Sequence, residues 1–222
     1  MVGIAGSTDI VIVGGGIIGL ATAYRLNERW PDKRIMLLEK EVDLAAHQTG
    51  HNSGVLHSGI YYRPGSLRAQ NCRLGKLAMQ EFCEREGVPF EMCGKVIVAV
   101  SSDEIPTLEG ILERGRANGV KCEMIDGQRL RELEPHAAGV QAIHVPEAGI
   151  VDYRKVCLKL AEKITATGCD VRCNVRVLGM NNSDSDCVLE TTAGDIATRW
   201  VVNCTGLHSD RVTRLSGVDP QL

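Results

Sequence analysis

Gly14, Gly16 and Gly19 stand in Gly-x-Gly-x-x-Gly spacing, and Glu39 follows twenty residues after the last of them. Glycines so spaced let a backbone turn tightly and come close to an anion, and a carboxylate at that distance accepts a hydrogen bond from a ribose hydroxyl. The chemistry is that of gripping a dinucleotide pyrophosphate. Gly14 permits the turn, Gly16 lets the backbone approach the phosphates, and Gly19 lets the following helix pack closely, its N-terminus facing the anion. Lys40 is placed either beside the adenosine or in solvent. A second group lies between Ala45 and Gly65: His51 and His57, the short donors Thr49 and Ser53, the bare backbone of Gly54, then Tyr61, Tyr62 and Arg63. Imidazoles exchange protons near neutral pH. Arginine and tyrosine offer the donors that hold a carboxylate. Gly206 closes an apolar run, Val201 to Thr205, and gives a second point of close backbone approach.

The elements that position these residues are legible in the pattern. Asp9 to Val13 and Arg34 to Leu38 read as strands buried on both faces, hence parallel, with a helix over Ile17 to Arg29 between them. Ala45 to Gly65 is rich in Gly, Ser and His, lacks periodicity, and is long for an ordinary connection. A helix is expected over Ser66 to Glu86, capped by Ser66 and stopped at Gly87. Further helices are expected over Glu104 to Asn118, Gln128 to Glu134 and, capped by Asp152, Tyr153 to Thr167. Strands are expected over Lys95 to Ser101, Val140 to Val145, Gly149 to Val151 and Asp170 to Leu178. A polar turn over Asn181 to Asp186 then precedes a hairpin, Asp186 to Thr192 with Asp195 to Trp200. Val201 to Thr205 reads as a further strand. This order describes an α/β protein. A discontinuous domain of 1–90 and 151–222 carries the parallel sheet and a β-meander, and 91–150 begins another.

Composition narrows the function. Apolar residues make up 44% and charged residues 24% of the 222, and 25 Lys and Arg face 28 Asp and Glu. No basic field exists to bind nucleic acid. Aromatics are only 4%, too few for a base-stacking or sugar-stacking surface. The 24 glycines exceed the roughly 7% that is usual. Nine cysteines at irregular spacings, with no Cys-x-x-Cys, read as free thiols in a reducing compartment. No metal-ligand spacing and no Gly-x-Ser-x-Gly elbow is found. No run is long and apolar enough to span a membrane.

Three segments carry a resemblance: Gly14 to Gly19 with Glu39; the loop Thr49-Gly-His-Asn-Ser53-Gly-Val-Leu-His57-Ser-Gly-Ile-Tyr61-Tyr-Arg-Pro-Gly-Ser66; and Val201-Val-Asn-Cys-Thr-Gly206-Leu-His-Ser-Asp210. The chain resembles the FAD-dependent oxidoreductases of the D-amino-acid oxidase superfamily, and within it the L-2-hydroxyglutarate dehydrogenase/oxidase family. The resemblance implies an FAD-binding Rossmann-type fold of the glutathione-reductase kind, with a β-meander and part of an α+β substrate domain. It implies FAD, taken as noncovalent because no cysteine or histidine has a clear attachment context. Members of the family are longer, so the chain is expected to be an N-terminal fragment.

The resemblance also implies roles. His57 is the expected base, in a segment near the flavin. Thr49, Ser53, Gly54 and Gly206 join Gly14, Gly16, Gly19, Glu39 and Lys40 as cofactor contacts. The strand at Val175 passes beside the adenine. Tyr62 and Arg63 are the candidates for holding the 2-hydroxy acid. Oxygen or a quinone takes the electrons; a membrane quinone would bring the protein to a membrane surface. Two other readings keep part of this. The substrate becomes glycerol 3-phosphate or an amino acid, or the fragment binds only FAD or ADP without turnover.

Overall fold

The computed structural model describes residues 4–183 and 186–221. The chain forms two compact units, Met1–Asn52 with Tyr153–Leu222, and Ser53–Asp152. The first starts with β1 (Ile4–Val13), α1 (Ile17–Arg29) and β2 (Ile35–Leu38). The second contains β3 (Val55–Leu56), α2 (Leu67–Glu86), β4 (Phe90–Glu91), β5 (Lys95–Ala99), α3 (Ile105–Ala117), β6 (Glu123–Asp126), α4 (Gly127–Leu133), β7 (Gln141–Val145) and β8 (Gly149–Val151). The chain then returns to the first unit with α5 (Tyr153–Ala166), β9 (Asp170–Arg172), β10 (Val177–Asn182), β11 (Cys187–Thr191), β12 (Asp195–Asn203) and α6 (Ser209–Leu215).

In the first unit one sheet runs β10-β11-β12-β1-β2-β9. β12, β1, β2 and β9 are parallel, while β10, β11 and β12 form an antiparallel meander. β1 lies in the middle, and its Ile10–Val13 stretch is buried on both faces. Val11, Val13, Met36 and Leu38 cluster on one side with Val175, Leu189 and Ile196. Ile10, Ile12 and Leu37 alternate to the other side and are also buried. α1 packs against β1, β2 and α5. The carboxyl ends of β1 and β12, adjacent in a sheet whose order reverses there, make the crevice where such folds place ligands.

In the second unit β8 pairs with both β3 and β4, and β7 pairs with both β5 and β6. Ile60 is fully buried against Leu108, Leu112, Ile143 and Val145. Ser66 caps α2, its Oγ accepting from Ala69 N at 3.3 Å, and Gly87 ends that helix at φ +69°. Asp126 caps α4 by accepting from Arg129 N at 2.8 Å.

Three expectations need correction. Residues 53–90 pack with the second unit rather than the first, because β3 and β4 both pair with β8 and Ile60 anchors the loop in that unit's core. The strand expected over Asp170 to Leu178 is two strands. Asn174 between them adopts φ +58°, and the amides of Asn174 and Val175 donate to the carbonyls of Glu41 and Glu39 instead of a ladder. The meander extends the parallel sheet, and Val201 to Asn203 continues β12 rather than forming a separate strand. Lys76 on α2 has a side chain only 8% exposed and pairs with Glu147. The expected turn at Asn181 to Asp186 includes residues 184 and 185, outside the described residues.

The thiols are free. Burial pushes Cys157 and Cys169 up to about 12. Only a thiolate alkylates readily. Iodoacetamide near about pH 8 is therefore expected to label exposed Cys93 in the folded protein, and Cys157 and Cys169 only after denaturation. Mapping by peptide mass spectrometry checks this; labelling of Cys157 before unfolding contradicts the packing of α5.

Candidate functional site

The turn from β1 into α1 is built on contacts no side chain permits. Gly14 has φ +114°, and a Cβ there would lie 2.4 Å from the carbonyl oxygen of Cys204. A Cβ on Gly19 would lie 1.9 Å from the oxygen of Gly14. Gly15, to which the sequence assigned no role, is crowded by side chains rather than backbone: its Cβ would meet Leu44 at 2.6 Å and the Glu39 Cβ at 2.9 Å. Gly16 differs, since a Cβ there would touch only Thr49 Oγ1, at 3.2 Å. It is free on the side that faces outward.

Glu39, at the end of β2, is held by two amides. Its Oε2 accepts from Gly15 N at 2.7 Å, and its Oε1 from Glu41 N at 2.9 Å. Each oxygen keeps a further lone pair for a hydroxyl. Thr49 Oγ1 accepts from Ile17 N at 3.1 Å and so caps α1 from a distant segment. The first turn of a helix has amides with no acceptor inside it. Here Glu39 and Thr49 satisfy Gly15 and Ile17. The amides of Gly16, Ile18 and Gly19 have no acceptor among the described residues. They form a positive cradle at a helix N-terminus.

This cradle opens into a cavity of about 970 Å³ lined entirely by the first unit, including Gly14, Gly16, Glu39, Thr49, Val175 and Gly206. Lys40 lines it as well. Its ammonium pairs with Glu41, whose carboxylate also meets His47 Nε2 at 2.9 Å. The Lys40 hydrogen bond, then that of His47, holds the Glu41 carboxyl below its ordinary range. The ring of His208 meets that of His47 edge to face at 5.8 Å, and its Nδ1 is buried with no partner among the described residues. Val175 donates its amide to Glu39 O at 2.8 Å, so contact with a base must use its carbonyl. Gly206 has φ +58° and opens the turn into α6, which Asn203 secures by donating from Nδ2 to Ser209 O at 2.8 Å. His51 also lines the cavity, with Nδ1 against His47 O at 2.9 Å. Sequence reasoning missed His47, Arg176 and Arg211 on this wall, which His208 also lines beside Gly206. Residue type alone carried no signal for them.

The other expected residues belong to the second unit. Gly54 has φ +69° and its Cβ would lie 2.9 Å from Val151 O, a packing reason for glycine beside β8. Ser53 is exposed at the start of that unit. His57 is exposed overall, yet partial desolvation, and then the charge of Lys95, hold its imidazole below the ordinary value. Cys72 Sγ donates to His57 O at 3.3 Å and fixes the backbone there. Tyr62 is exposed and held through its main chain, its carbonyl accepting from Asn118 Nδ2 at 2.8 Å. The Arg63 carbonyl accepts from Ser66 Oγ at 2.6 Å, which ties the turn to the cap of α2. The Arg63 side chain is exposed. Ser58, also missed, is 1% exposed, and its Oγ has no partner among the described residues.

The profile of the FAD dependent oxidoreductase family matches residues 9–222. The chain belongs to that family. It is 45% identical over 209 residues to an L-2-hydroxyglutarate dehydrogenase of Indibacter alkaliphilus, covering 94% of this chain and 52% of that protein. To the mitochondrial L-2-hydroxyglutarate dehydrogenase of Homo sapiens it is 45% identical over 227 residues, covering 96% and 49%. The chain thus spans about half the length of the curated relatives it matches. Among solved structures it matches a reduced L-alpha-glycerophosphate oxidase from Mycoplasma pneumoniae with FAD bound, at TM-score 0.87 and 28% identity, covering 94% of this chain and 56% of that one. It shares its fold with a glycine oxidase from Geobacillus kaustophilus, at TM-score 0.84 and 24% identity, covering 96% and 59%.

The residues present fit the family's cofactor. Three open amides at the start of α1 suit a pyrophosphate. The Glu39 carboxylate, with lone pairs to spare, suits a ribose. Replacing Gly19 with Ala is expected to abolish ADP binding in calorimetry, because the clash is with backbone and cannot relax cheaply. Replacing Thr49 with Val removes the cap on Ile17 and is expected to cost about 1 kcal/mol. That corresponds to a fall of roughly 2–4 °C in Tm for a domain of this size. An unchanged melting curve would contradict the cap.

Proposed function

We propose that the protein binds FAD noncovalently in the first unit and acts in the oxidation of L-2-hydroxyglutarate to 2-oxoglutarate. The observation that carries this reading is the 45% identity to L-2-hydroxyglutarate dehydrogenases over 94% and 96% of the chain. Gly14, Gly16, Gly19, Glu39, Lys40, Thr49, Val175 and Gly206 are the proposed cofactor contacts in that unit, with Ser53 and Gly54 at the start of the loop that follows. Bound flavin supplies a two-electron acceptor for the hydride leaving C2. His57 takes the hydroxyl proton, so that the C2–O bond becomes a carbonyl as the C2–H bond breaks. Partial desolvation, and then the neighbouring Lys95 charge, lower its proton affinity, which favours the neutral imidazole that a base needs. Tyr62 and Arg63 offer a hydroxyl and a guanidinium to the carboxylates. The electrons pass on to oxygen or to a quinone. No helix among the described residues is long and apolar enough to cross a membrane. A quinone acceptor would be met at a membrane surface, and the free thiols suit a reducing compartment.

The structural likeness to an L-alpha-glycerophosphate oxidase supports glycerol 3-phosphate as the second reading. One experiment separates them. The protein is reconstituted with FAD, and its anaerobic absorbance is followed on adding L-2-hydroxyglutarate, its D enantiomer or glycerol 3-phosphate. Bleaching by the L acid alone is expected; bleaching by glycerol 3-phosphate alone sinks the first reading. Replacing His57 with Gln should slow the bleaching roughly 10²- to 10⁴-fold. The base works when neutral and its proton affinity is lowered, so kcat/KM should fall with acid only below about pH 6.5, the ordinary imidazole value. A limb at or above that value, or one that survives the substitution, rules out His57 as the base.

A further inference from the structure

The second unit contains a cation with no counter-charge. Lys95 opens β5, paired with Val145 of β7, and shares a face of that sheet with Ile97 and Ala99. Ile97 and Ala99 pack into the cluster around Ile60, so this face looks toward the loop that carries His57 and Tyr61. The Lys95 side chain is half-buried, and its ammonium stands 4.5 Å from the centroid of the Tyr61 ring. Some other cations of this unit have carboxylates: Lys76 and Arg73 share Glu147, and Arg129 meets Glu132. The Lys95 ammonium has no ion pair or hydrogen bond among the described residues. Desolvation holds its amine below the ordinary lysine range, and the one opposing influence is the nearby Cys72 thiol, not a carboxylate. Its charge reaches the His57 imidazole, on which it acts electrostatically.

Lysine is rarely buried without a partner, because taking an ammonium out of water costs free energy that only an anion or a dense set of acceptors returns. The face of an aromatic ring returns part of it. A small anion would return the rest. We propose that Lys95, seated over Tyr61, holds one carboxylate of the hydroxy acid whose hydroxyl proton His57 removes. This rests on the functional reading above. It adds a residue that no sequence motif indicated. The ammonium binds the carboxylate as a point charge with three rotatable donors, which suits a flexible diacid.

The test uses the FAD-reconstituted protein and 2-oxoglutarate as the probe, with binding measured by calorimetry. Lys95→Met should weaken binding roughly 10- to 100-fold, the worth of a hydrogen bond to a charged group. Lys95→Arg should restore most of it. Melting temperature should not fall in Lys95→Met, because an unpaired charge is lost; a purely structural lysine would lower it. L-2-hydroxybutyrate, which lacks the distal carboxylate, assigns the seat. If only diacid binding weakens, Lys95 holds the distal group; if both weaken, it holds the group next to C2. A second readout needs no variant. Acetic anhydride near neutral pH should acetylate Lys95, and 2-oxoglutarate should slow that reaction at this site in a peptide map. The proposal is overturned if the wild-type protein binds 2-oxoglutarate and Lys95→Met binds it equally well, or if the ligand leaves Lys95 acetylation unchanged. Failure of the wild-type protein to bind or oxidise any 2-hydroxy acid overturns the functional reading, and the seat with it.

Discussion

The first unit depends on how closely three stretches of backbone approach at the carboxyl edge of its sheet. The Gly14 α-carbon lies against the Cys204 carbonyl, and the Gly19 α-carbon against the Gly14 carbonyl, each nearer than any Cβ allows. This contact joins the end of β1 to the start of α1 and to the end of β12. β1 is the centre of the parallel part, hydrogen-bonded to β12 on one side and to β2 on the other. Because its last residues, Ile10–Val13, are buried on both faces, the strand cannot shift to relieve a clash at its tip. The glycines therefore do more than admit a phosphate; they let the sheet close on its own connections.

Glu39 links that contact to the rest of the wall. Its carboxylate holds the Gly15 and Glu41 amides, its amide donates to Arg172 O, and its carbonyl accepts from Val175. One residue thus ties the glycine turn, the end of β2 and the bend between β9 and β10. Removing the carboxylate would leave two amides competing for solvent and take away an acceptor from the cavity wall. The rim beside it carries basic side chains. Lys40 and His47 converge on the carboxylate of Glu41, and Arg176 and Arg211 line the same wall. Open amide dipoles and these cations favour an anion in the cavity.

The second unit is organised by strands that each pair twice. β8 gathers β3 and β4, and β7 gathers β5 and β6. The loop with His57 is anchored by Ile60 in the core below it and by Asn118, whose Nδ2 donates to the carbonyls of Gly59 and Tyr62. A segment with no periodicity of its own is thus held by distant partners. That is why 53–90 was assigned to the wrong unit from sequence. Two-residue strands such as Val55–Leu56 leave no alternation to read, and their pairing partner lies about a hundred residues away in the chain.

The sequence by itself determined the α/β class, the strand–turn–helix cradle, Glu39 at its measured distance, the long loop with His57, and the family. These are local: each depends on residue type at fixed spacing, where sterics and hydrophobic period act within a few turns. α1 and the cap of α2 match to the residue for that reason. Tertiary structure alone decided what depends on contacts between distant residues. It brought Thr49 onto the amide of Ile17, set Asn174 in a left-handed bend that splits one apolar run into two strands, and placed His47 against His208. It also left Lys95 half-buried over Tyr61 without an anion. A lysine at the head of a strand looks like any other in sequence. Only the packing around it, which removes water and supplies no carboxylate, makes its charge available to a ligand.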